Sequence, residues 1–77
     1  MLNLSAIKPH MAVISSEGTH FAFVDHLASD NRTIKLARDA SGVHHYIPVS
    51  WVTQIDQGIL LDRPTSQVML EWTSEAA

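Results

Sequence analysis

The sequence predicts a mainly β protein, a small β-barrel of five or six short antiparallel strands with a short C-terminal helix. Three observations predict it. Short runs rich in β-branched and aromatic residues recur along the chain, each bounded by Gly, Pro, Asn, Asp or Ser. One stretch alone, after Pro64, has the spacing of a short amphipathic helix. At 77 residues the chain holds a single domain, 1–77, with one core and no room for another.

In chain order, Asn3 to Ile7 reads as one helical turn capped by Asn3, with Leu4 and Ile7 facing inward. Pro9 ends it by biasing Lys8 to an extended conformation. Met11–Ser15 is a first strand, with Met11 and Val13 on one face, and Ser16-Glu17-Gly18 is a turn. His20–Leu27 returns as the second strand of a hairpin. On it Phe21 and Phe23 share one face, and Ala22 and Val24 the other. Two apolar faces suit a strand covered on both sides. After a turn at Ser29-Asp30-Asn31, Arg32–Ala37 is the third strand, with Ile34 and Leu36 inward.

Arg38–Gly42 is a loop, and Val43–Ile47 is the fourth strand, ended by Pro48, which lacks a ladder donor. Val49–Val52 reads as a tight turn or one turn of 3₁₀-helix, leading into Thr53-Gln54-Ile55. Asp56-Gln57-Gly58 turns the chain into a returning strand, Ile59–Asp62. After Pro64, Thr65 caps a helix whose packing face carries Val68, Met69 and Trp72, with Trp72 as its anchor and Leu70 off that face. The structured core is expected to span about 5–72, with a frayed tail beyond it.

Composition removes several functions. With no cysteine, disulfides and thiolate metal sites are excluded. A formal charge of −3 opposes nucleic-acid binding by counterion release. Arg32, Lys35 and Arg38 gather about the third strand, but they alternate with Ile34 and Leu36 and not with stacking aromatics. No apolar run approaches the roughly 20 residues of a membrane span, and Met1–Ser5 lacks the basic start and apolar block of a signal peptide. A cytoplasmic protein is the expectation.

Five histidines stand out. His44 and His45 are adjacent on a strand and point to opposite faces, so they cannot chelate one ion together. One is expected to be semi-buried and hydrogen-bonded and the other exposed. Ser41 and Ser50 flank the pair, and Asp25 and Asp39 are available carboxylates, yet nothing marks a nucleophile elbow and there is no phosphate-binding glycine loop. The expectation is no enzyme and no cofactor.

The run His44-His45-Tyr46-Ile47-Pro48-Val49-Ser50-Trp51-Val52 resembles the signature of a bacterial family, domain of unknown function 2171. The spacing of Glu17-Gly18, Val24-Asp25, Ile34-Lys35-Leu36, Leu61 and Trp72 around it is similar as well. His45, Pro48, Trp51 and Trp72 are read as marks of the fold. The family is similar to the PRC-barrel group, whose relatives are adaptor domains, so the resemblance implies a small barrel with no established activity. Phe21-Ala22-Phe23-Val24-Asp25 departs from the family's usual Val-Gly-Thr-Val-Asp, and Phe23 stands where a polar residue is usual.

The function expected is therefore a non-catalytic protein-interaction or structural adaptor module. It would be a homodimer or the companion of an unidentified protein, with Phe21, Phe23, His44, Tyr46 and Leu70 as contact surface. The runner-up is a small-ligand or metal-binding protein using His44, His45 and Tyr46.

Overall fold

The computed structural model describes residues 4–74. The alternating segments form β1 (Ala12–Ile14), β2 (His20–Leu27), β3 (Thr33–Leu36), β4 (His45–Pro48), β5 (Val52–Ile55) and β6 (Gly58–Leu61). One helix, α1 (Thr65–Glu71), and a two-residue strand, β7 (Thr73–Ser74), follow. Leu4–Ala6 and Val49–Trp51 are 3₁₀ turns.

All seven strands lie in one sheet in the order β5-β6-β1-β2-β3-β4-β7. The mainly β architecture with one short helix is the one expected, and three details differ. There are seven strands and not five or six. β1 and β6 run parallel, while the other pairings are antiparallel. Among the described residues no ladder joins β5 to β7, so the sheet curls around its core without hydrogen-bonded closure.

Alternation places the core. Ile34 and Leu36 of β3, His45 and Ile47 of β4, Val13 of β1 and Val24 of β2 all turn inward, where they meet Ile59, Leu61 and Val68. Pro48 ends β4 and Trp51 is buried at the corner that follows. The Arg63 guanidinium lies 4.1 Å from the Trp51 ring centre, held there by Asp62 and Glu71 at 2.6 and 2.8 Å. β2 is only partly covered on its second face: Phe21 leans on Trp72, with ring centres 6.3 Å apart, but Phe23 is 48% exposed.

Four expectations are revised. β4 begins at His45 and not Val43, because Gly42, at φ +85°, closes a loop whose Val43 N–H donates to Asp39. Thr65 does not cap α1: Pro64 holds that position, the Thr65 hydroxyl has no partner among the described residues, and the Glu17 carboxylate accepts from the Thr65 N–H at 3.2 Å. Met69 is off the packing face, at 49% exposure; Val68, four residues before Trp72, is the helix's buried contact. Thr73 and Ser74 are not frayed but pair with Tyr46 and His45 as β7. The Asn3 cap and the end of the tail, 75–77, fall outside the described residues.

The parallel seam between β1 and β6 depends on Gly58. A Cβ there would sit 2.9 Å from the Ala12 carbonyl oxygen and 3.2 Å from Ile14 Cδ1, inside normal contact. Gly58→Ala should therefore destabilise the fold by about 1–3 kcal/mol, the usual range for overpacking; a urea midpoint equal to the parent's would refute the tight seam.

Candidate functional site

The loop between β3 and β4 is organised by one carboxylate. Asp39 Oδ1 accepts from the Ser41 N–H at 2.9 Å, the Ser41 hydroxyl at 2.6 Å and the Val43 N–H at 3.1 Å. Its Oδ2 accepts from His45 Nε2 at 2.7 Å. These donors, the Ser41 hydroxyl first and then His45, hold the Asp39 carboxyl far below the usual aspartate range.

His45 is the buried member of the histidine pair, at 9% exposure. Its Nδ1 meets Ser74 Oγ at 2.9 Å, and its ring stacks on Trp72 with centres 3.8 Å apart and planes 8° from parallel. The C-terminal segment is thereby fastened to β4 and, through Asp39, to the loop before it. His44 points the other way and is half-buried. Its Nδ1 donates to the Leu36 carbonyl at 2.8 Å, and its Nε2 accepts from Arg38 Nε at 3.2 Å. Because an arginine N–H can only donate, this pattern requires a neutral His44 with its proton on Nδ1.

Each ring nitrogen of both imidazoles has a protein hydrogen-bond partner. Among the described residues no three His, Asp or Glu side chains converge as a metal site.

Beside this lock lies a cleft of ≈ 240 Å³. Phe21, Phe23, Trp72 and Leu36 supply its apolar lining, and Arg38, Asp39, His45 and His20 its polar one. His20 meets Phe23 edge-on, with ring centres 4.6 Å apart and planes at 87°. Of the expected contact residues, Phe21 and Phe23 come together here with the fold residues His45 and Trp72. His44 stands behind Arg38. Tyr46 borders a separate depression of ≈ 140 Å³, with the Lys35 ammonium 6.0 Å from its ring centre. Leu70 lines neither and is 81% exposed on α1. Arg38, Asp39, His20 and Ser74 were not among the expected site residues. The Asp39-Ala40-Ser41-Gly42 run is an Asx-turn pattern that could have singled out Asp39. Nothing local marks Ser74.

Fold and cleft together define a small, mainly β single-sheet domain with an aromatic cleft over a hydrogen-bonded histidine. The chain belongs to the family described as an uncharacterized protein conserved in bacteria (DUF2171), whose model matches residues 7–69. No curated protein and no solved structure matches it. The matched span takes in Asp39, both histidines and the Pro48–Trp51 corner, while Trp72 and β7 lie past its end.

The Asp39 network has a signed pH consequence. A carboxylate held below its unfolded value of about 3.9 stabilises the fold above that pH, and the contribution is lost as pH falls toward the folded-state value. Asp39→Asn should lower the melting temperature at neutral pH and flatten the loss of stability below about pH 4. Parallel acid-melting curves for variant and parent would show that Asp39 is not what the loop depends on.

Proposed function

We propose that this protein is a non-catalytic protein-interaction module, working through the outer face of β2, with a second copy of itself as first partner. One observation carries the reading: Phe23 is 48% exposed on a strand in the middle of the sheet, beside an aromatic-lined cleft. A large ring left in water is a standing incentive for association. A domain of 77 residues has little core of its own and gains most from a partner's surface.

The non-catalytic part rests on how the polar groups are used. Asp39, His45 and Ser74 form an acid–imidazole–hydroxyl row, but the imidazole lies flat under Trp72 and Ser74 does not line the cleft. The row reads as a structural lock. The resemblance to PRC-barrel adaptors points the same way, and a cytoplasmic setting fits the sequence expectation. Small-ligand binding is the second reading, and the cleft favours it over the original His44/His45/Tyr46 surface.

Light scattering after size exclusion should give twice the chain mass for the parent over a dilution series. Phe23→Lys should give the monomer mass with an unchanged circular dichroism spectrum. A parent that is monomeric at every concentration would end the homodimer reading.

A further inference from the structure

The two neighbouring charges of the cleft, Arg38 and Asp39, are in opposite situations. Four donors already converge on Asp39, and a carboxylate offers only about four acceptor sites. Asp39 keeps its charge, but most of its hydrogen-bonding capacity is spent within the protein. Arg38 presents five N–H donors, of which its Nε–H goes to the neutral His44. Among the described residues no carboxylate pairs with it. The guanidinium is thus oriented by His44 without being neutralised, and its fork remains for an acceptor from outside.

The rest of the lining sets the other half of the ligand. Phe21, Phe23, Trp72 and Leu36 surround space for apolar atoms. Drug-sized ligands occupy pockets of about 300–1,000 Å³. At ≈ 240 Å³ the cleft suits one ring or one branched aliphatic group. A fork of N–H donors beside such a space matches a planar carboxylate in charge and geometry.

We propose that the cleft between β2 and Trp72 binds a carboxylate carrying one aromatic or branched apolar group, with Arg38 on the carboxylate and Phe21, Phe23 and Trp72 around the apolar part. Two sources share this chemistry, a free small organic acid and the C-terminal residue of a polypeptide. The site shares Phe23 with the homodimer reading but does not rest on it, because the acid–amide difference is read at Arg38.

The test is a nuclear magnetic resonance titration of the full chain. The probes are phenylacetate, phenylacetamide, a short peptide ending in leucine with a free carboxylate, and the same peptide amidated. Saturable shifts are expected at the Arg38 side chain, the Trp72 indole and the Phe21 and Phe23 amides, with each amide at least about tenfold weaker than its acid, the factor a lost charge-assisted pair implies. Arg38→Met should weaken the acids by the same factor and leave the mass of the oligomer unchanged. Stronger binding by the peptide acid would assign the site to chain termini, and stronger binding by phenylacetate would assign it to a free acid. Amides that bind as well as acids, shifts confined to other surfaces, or no saturable shift with either acid would overturn the proposal. The acid–amide comparison on the parent decides the matter even where Arg38→Met does not fold.

Discussion

Most of what is specific to this molecule depends on the hydrogen bond between His45 and Asp39. His45 is the first residue of β4 and points into the protein, where an unpaired ring nitrogen would cost free energy that the packing around it would have to offset. Asp39 accepts from the Nε2–H and Ser74 meets the other nitrogen. With its polar edge satisfied, the imidazole can present a flat face to Trp72. Trp72 then supplies one wall of the cleft and holds the chain leaving α1 against the sheet, where β7 adds its two pairings to β4. Phe21 meets the same tryptophan from β2.

This dependence explains which parts of the structure could be read from residue order. Period-two alternation sent Ile34 and Leu36 inward and separated His44 from His45, because those outcomes need only the strand's own geometry. The corner at Pro48 and Trp51 was legible for a similar reason, since the missing amide of a proline acts locally. The parallel contact of β1 with β6 was not legible. It joins residues more than forty positions apart and rests on the absence of a Cβ at Gly58, which by composition looked like a turn glycine. β7 was missed because Thr73 and Ser74 carry no apolar alternation; Trp72 puts them in place.

The candidate site was legible in its aromatics and not in its charges. Phe21 and Phe23 announce themselves on a strand with two apolar faces, and the sequence ties neither to a ligand. Arg38 was read with the basic residues about the third strand and Asp39 as an available carboxylate near the histidines, neither as part of a binding site. What separates them is the turn at Gly42 (φ +85°), which brings the Ser41 and Val43 donors onto Asp39 and lets His45 reach it. Arg38, one residue earlier, leaves the strand on the side of His44. Adjacent opposite charges that would be expected to neutralise one another are each given a different histidine.

The consequence is a division of labour between two imidazoles that strand alternation alone set apart. The inward one fastens the C-terminal segment and fills an acceptor site of Asp39 in doing so. The outward one steers a positive charge and leaves it unpaired. Stability therefore draws on Asp39, and the character of the cleft is set by what remains, a guanidinium beside three aromatic rings. A helix anchored mainly through Val68 and the residue after its end would hold that wall poorly without the lock. The arrangement that makes the fold stable is for this reason the same one that gives the cleft its shape.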